Sequence, residues 1–153
     1  MHIPRVYIDT SVIGGCFDVE FSEWSENLFE EFRAGKKIAV ISETTIDELS
    51  DAPEAVKIKL KTIPEDFLEV IELTDEIIQL ADYYVTSGIL TEKSKEDALH
   101  IASATVSEVD LIVSWNFRHI VNLEKIRKYN SVNLLKGYKF IDIRTPMEVI
   151  NYD

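Results

Sequence analysis

Residues 94–114 read SKEDALHIASATVSEVDLIVS, and this stretch decides the fold class. Ala98, Leu99, Ile101, Ala102, Thr105 and Val106 make the segment from Ser94 apolar over a wide arc at helical spacing. It predicts a largely buried helix. Leu111–Ser114 follows as a short apolar strand. Working outward, the same alternation recurs. Val6–Asp9, Ile38–Ile41, Phe67–Leu73 and Lys139–Ile143 read as further strands. Between them, Ser22–Ala34 carries Trp24, Leu28, Phe29 and Phe32 on one helix face, with Gly35 as a stop. Ser42 can cap a helix through Ile46 and Leu49. Pro53 suits the first turn of a helix that ends near Pro64, and Thr74 opens one closed by Gly88. Asn122–Tyr129 is a basic helix, and Pro146 opens a short tail. Apolar strands separated by helices predict an α/β domain with a parallel sheet covered on both faces. Ligand sites in such sheets lie at the carboxyl ends of the strands.

The chain has 153 residues, 46% hydrophobic and 29% charged, which suits one globular domain over 1–153 and excludes disordered and fibrous classes. No apolar run approaches the ~18 residues of a membrane span. The opening MHIPRVYID is not a basic-then-apolar leader, and the single cysteine, Cys16, makes no internal disulfide, so a cytoplasmic protein is expected. Thiolate metal sites need several sulfurs and are excluded. The net charge is −12, which opposes phosphate binding overall, but it is uneven. Residues 1–113 hold 9 basic and 24 acidic side chains, whereas 114–139 hold 6 basic and 1 acidic. That window is either a solvated basic helix or a local anion-binding face.

Three acids follow strands or open helices. Asp9 closes the first strand in YIDTSV, with Thr10 and Ser11 behind it. A charge at the end of an apolar strand is costly unless compensated; otherwise Asp9 caps the next helix. Glu48 lies in SETTIDELS, at the margin of a helix face that is also acidic on its surface. Asp97 stands in the first turn of the helix from Ser94, where Ser94-x-x-Asp97 is also a capping-box spacing. His100 shares its face three residues on, either as a core histidine or as a metal ligand. After the fourth strand, SWNFRH places Asn116, Arg118 and His119 in a loop, and Asn116 suits a hard cation or one of its waters. If Asp9, Glu48 and Asp97 converge, each pair at ~4 Å costs about 4 kcal/mol at an effective dielectric of ~20. Three pairs cost roughly 12 kcal/mol, the scale of a whole domain's stability, so protonation or a dication is expected. Oxygen ligands favour Mg2+ or Mn2+.

With YIDTSV, the Ser42–Leu49 stretch ending in DEL, DALHIASA and LIVSWNFRHI in this order, the sequence resembles the PIN-domain family, the fold of the VapC toxins of toxin–antitoxin modules. The resemblance implies a three-layer α/β/α fold around a parallel sheet of four to five strands. It implies metal-dependent endoribonuclease activity leaving a 5′-phosphate and a 3′-hydroxyl, and a cognate antitoxin. Carried over by position, Asp9, Glu48 and Asp97 are the catalytic carboxylates and metal ligands, and Thr10 is a supporting hydroxyl. Asn116 stands where many relatives have a fourth Asp, and His119 where some have another. Both changes lower the site's negative charge and point to one cation rather than two. Arg118 and His119 are candidates for phosphate contact on RNA. Trp115 and Phe117 either stack bases or fasten the loop to the core. A homodimer is expected through apolar helices such as Ser22–Ala34. Two other classes compete: a non-catalytic RNA- or protein-binding module on the same fold, and an aspartyl-phosphate enzyme, against which Ser11 replaces the second Asp of such motifs.

Overall fold

Val6, Tyr7 and Ile8 are fully buried yet face opposite ways, as successive residues of a strand must. Tyr7 joins Val40 and Ile112 in one apolar cluster, while Val6 and Ile8 join Ala39, Ile41 and Val113 in another. The sheet between the clusters is therefore covered on both sides. The structure, a computed structural model, describes residues 2–151.

Five strands form the sheet: β1 (Arg5–Ile8), β2 (Ile38–Ser42), β3 (Leu68–Ile71), β4 (Leu111–Val113) and β5 (Ile143–Arg144). Their order is β3-β2-β1-β4-β5, and every pairing is parallel. One face carries α1 (Thr10–Gly15), α2 (Ser22–Arg33), α3 (Glu43–Leu49) and α4 (Glu54–Lys61), through Val12, Phe29, Phe32, Leu49 and Val56. The other carries α5 (Asp75–Thr86), α6 (Lys95–Val106) and α7 (Leu123–Leu135), through Leu80, Tyr84, Ile101 and Tyr129. A final turn, α8 (Pro146–Val149), follows β5. This is the expected three-layer α/β/α architecture. Among the described residues, no helix is long and apolar enough to cross a membrane.

Three expectations shift. The fifth strand lies at Ile143–Arg144, not Lys139–Ile143. The Asn130 side chain holds Ile141 from both sides, donating to its carbonyl (3.1 Å) and accepting from its N–H (2.8 Å), so a side-chain amide takes the place of a neighbouring strand. The basic helix runs to Leu135 instead of Tyr129, because nothing breaks it before Gly137, whose φ of 87° suits a helix stop. And α2 turns Leu28, Phe29 and Phe32 into its own core, so its apolar face is satisfied within the chain. Sequence reading also missed α1, a six-residue helix rich in β-branched residues and glycine.

Gly15 makes α1 possible. A Cβ there would lie 2.6 Å from Ser25 Oγ and 2.8 Å from Trp115 Nε1. Those two atoms are hydrogen-bonded to each other at 2.9 Å and tie the loop after β4 to α2. Gly15→Ala is expected to lower stability by about 1–3 kcal/mol in urea denaturation, as overpacking does. An unchanged midpoint would show that the approach is slack.

Candidate active site

The strands β1 and β4 are neighbours, but the chain leaves β1 through α1 and α2 over one face and leaves β4 through α7 over the other. Two adjacent strands with opposite exits open a crevice at their carboxyl ends. Asp9 and Ser114 stand there side by side, one residue past the paired Ile8 and Val113.

Asp9 is 4% exposed. It is the residue before α1, yet its carboxylate caps nothing in that helix. Instead Oδ1 accepts from Ser11 Oγ (2.6 Å) and Oδ2 from Ser114 Oγ (2.7 Å). Ser114 Oγ also accepts from the N–H of Asn116 (2.9 Å), and Asn116 Nδ2 donates to Asp97 Oδ1 (3.3 Å). Asp97 is thus linked to Asp9 through two intermediate residues. The capping-box role expected of Ser94 is not used: its hydroxyl lies 3.3 Å from His119 Nε2. The other side of the crevice closes through Glu48. Its Oε1 accepts from Thr10 Oγ1 (2.8 Å) and from His100 Nε2 (2.6 Å). His100 lies three residues after Asp97 on α6 and Thr10 follows Asp9 in the chain, so hydrogen bonds and chain neighbours together trace a ring: Asp9, Ser114, Asn116, Asp97, His100, Glu48 and Thr10. The structure brings together the three predicted acids, Thr10 and Asn116.

The ring has an electrostatic logic that sequence reading placed elsewhere. His100 is 1% exposed. Burial pulls its pKa down, but Tyr7, Glu48 and Asp9 outweigh that and hold it well above the ordinary histidine range. Nε2 lies 2.6 Å from Glu48 Oε1 and Nδ1 2.6 Å from Tyr7 Oη, an arrangement that favours the charged imidazole. Tyr7 in turn lies 2.8 Å from Ser42 Oγ at the start of α3. For Glu48, burial pushes up, but the hydrogen bond and charge of His100 and the Thr10 hydroxyl prevail and keep it below the usual carboxylate range. Asp9 and Asp97 fare differently. Burial is the largest influence on each and raises both, against the attraction of His100; Asp97 is raised further by Asp9 and Glu48. A raised His100 pKa favours one positive charge among three acids, a third remedy beside protonation and a dication.

The donor chemistry suits a hard cation. Asp9 and Asp97 are oxygen donors, and burial holds both above their usual range. Among the described residues, no group of three or more His, Cys, Asp or Glu side chains is placed to hold a metal ion together. Burial pushes the Cys16 thiol up to about 12, which removes it as a nucleophile.

In the loop after β4, Trp115 is 7% exposed and stacks on Phe21 (4.2 Å between centroids), so it fastens the loop. Phe117 is 51% exposed and tilts against the same two rings. Arg118 is exposed. His119 is half-buried, and Asn116 Oδ1 accepts from the N–H of both Arg118 (3.2 Å) and His119 (3.0 Å). The basic window does not form one face: Lys136 covers the Tyr83 ring, and Lys128 and Lys139 pair with Glu124 and Glu108. Ser11, Ser114 and Tyr7 were missed as site residues. The signal for the serines was present, since hydroxyls follow both central strands directly. Tyr7 gives none, because it reads as strand core.

No family sequence model matches the chain, and no curated protein matches it in sequence. Solved structures do. VapC20 of Mycobacterium tuberculosis, a sarcin-ricin loop cleaving toxin, is similar at a TM-score of 0.57 and 12% identity, over 90% of this chain and 98% of that one. VapBC2 of Rickettsia felis, solved bound to a DNA fragment from its promoter, is similar at 0.57 and 14% identity, over 92% and 98%. The chain has the PIN-like fold of the VapC toxins. The PIN domain endonuclease Utp24 aligns over 62% of the chain at a TM-score of 0.34.

Replacing the imidazolium tests the ring. His100→Gln keeps a donor but removes the charge, and is expected to cost about 2–3 kcal/mol in urea denaturation at neutral pH, the scale of a hydrogen bond to a charged group. No loss would mean that His100 is uncharged.

Proposed function

We propose that the protein is a Mg2+- or Mn2+-dependent endoribonuclease that hydrolyses RNA phosphodiester bonds at the β1–β4 crevice. The observation that carries this is the link from Asp9 through Ser114 and Asn116 to Asp97, which joins two burial-raised carboxylates at the carboxyl ends of β1 and β4. The VapC-like fold supports the reading, and the cleaving toxin among the similar structures makes RNA the first substrate to try. The same likeness supports a cognate antitoxin as partner. A homodimer remains part of the proposal, through a surface other than the core face of α2.

Asp9 and Asp97 would hold the cation, with Glu48 as a third oxygen donor, directly or through water. Bound there, the cation supplies Lewis-acid stabilisation of the phosphoryl charge and a water acidic enough to act as a nucleophile near neutral pH. Ser11 and Ser114 fix the Asp9 carboxylate in one orientation. The His100 imidazolium keeps Glu48 ionised and, being buried, acts through Glu48 and not on substrate. Thr10 holds the same carboxylate oxygen from the other side. Asn116 positions Asp97 and shapes the loop that presents Arg118 to a substrate phosphate. Phe117 offers an exposed ring for an unpaired base.

Asp9→Asn and Asp97→Asn are each expected to abolish cleavage of single-stranded RNA while leaving the melting temperature unchanged or higher. Cleavage surviving both changes would remove the site. Mn2+ at a hundredfold excess over Kd is expected to stabilise the wild type by about 2.7 kcal/mol, roughly 5–10 °C in a thermal shift, and Asp9→Asn to erase that gain. A protein that binds RNA with neither metal response nor cleavage would be a binding module. Phe117→Ala is expected to weaken binding of a single-stranded oligoribonucleotide by about 1–3 kcal/mol, the worth of one stacked base; unchanged affinity would leave Phe117 as loop structure.

A further inference from the structure

A groove of about 410 Å3 runs beside the acid ring, between the segment that leads into α6 and the loop after β4. Its volume falls within the roughly 300–1,000 Å3 of ligand clefts. Thr91, Lys93, Ser94, Arg118, His119 and Lys125 line it with backbone of residues 88–90. Every ionisable side chain in the lining is basic. That is unexpected in a chain of 28 acids and 16 lysines and arginines. Four other surface cavities each include at least one carboxylate.

Three of the four basic residues are anchored locally. Lys125 Nζ donates to the Ile89 carbonyl at 2.7 Å, which pins its charge to the groove wall. Arg118 is set by the Asn116 turn. His119 has its Nε2 next to Ser94 Oγ, while its Nδ1 is buried with no partner among the described residues. Ser94 lies three residues ahead of Asp97, and Asn116, two residues before Arg118, donates to Asp97, so the groove lies next to the acid ring.

We infer that this groove seats the phosphodiester next to the one being cut, on a single strand of RNA. The assignment rests on the nuclease reading and deepens it, adding Lys93 and Lys125 to Arg118 and His119 as positioning residues for substrate. A strand laid across a repelling protein needs local cations to hold its register, and phosphate contacts supply register without sequence. The acid ring repels a phosphate until a cation arrives, whereas the groove attracts one at all times. The strand is therefore held first at the neighbouring phosphate.

The test measures binding of a fluorescent single-stranded oligoribonucleotide against salt, in an Asp9→Asn background so that no strand is cut. Lys93→Gln combined with Arg118→Gln is expected to weaken binding for every sequence tried. It should also lower the slope of log affinity against log salt by up to about 0.7, the share of the one phosphate charge that the groove seats. Arg127→Gln with Lys128→Gln removes the same charge from the outer face of α7 and should change the slope far less. Equal effects of the two pairs, or none from the first while the wild type still cleaves RNA, would overturn the groove and leave the nuclease reading standing. A wild type that neither binds nor cleaves single-stranded RNA would overturn both. AMP is the probe for a free nucleotide: binding as tight as the oligomer's, abolished in the first pair, would overturn the strand assignment.

Discussion

The contact between the His100 imidazolium and the Glu48 carboxylate joins α6 to α3 across the carboxyl edge of the sheet. Around it, Tyr7 reaches up from β1 and Thr10 from the start of α1, so four segments meet on one positive charge. Such a charge is expensive to bury, and it persists because three acids surround it. The acids in turn repel one another less with it there. Core packing on the two sheet faces sets the positions of these segments, but it does not set which side chains face the crevice. The ion pair does that, and the hydroxyls of Ser11, Ser114 and Ser42 complete the arrangement.

The architecture was legible because its signals are periodic. Apolar strands separated by helices with clear stops can be read locally, and the placement of β1, β2 and β4 follows from them. Strand ends were less legible where a single side chain decides them. The amide of Asn130, eleven residues from Ile141, replaces a strand partner, and no window of sequence contains that pairing. Helix α1 was missed since its stability comes from burial of Val12 and Ile13 and from the close approach at Gly15, not from propensity.

The candidate site was legible as a set of acids after strands, a pattern that the topology of a parallel sheet makes meaningful. Its charge balance was not. His100 reads as core or as ligand, and only its three-dimensional neighbours reveal a third role: a carboxylate on one nitrogen and a phenol on the other. The charge window over 114–139 likewise dissolved, because α7 spreads Lys125, Arg127 and Lys128 around its axis and Lys128 pairs with Glu124. The groove beside the site draws one of its lysines from outside that window, at residue 93, and sequence distance concealed it.

The two borders of the sheet carry a final consequence. β5 is two residues long and its approach is occupied by the Asn130 amide, while β3 at the opposite border bears Glu69, paired with Arg5. Neither border offers a long, flat, uncharged row of backbone groups to another molecule. An all-parallel sheet folds through distant contacts and exposes its strands for longer on the way. Blunted margins let such a chain reach high local concentration without templating fibrillar growth.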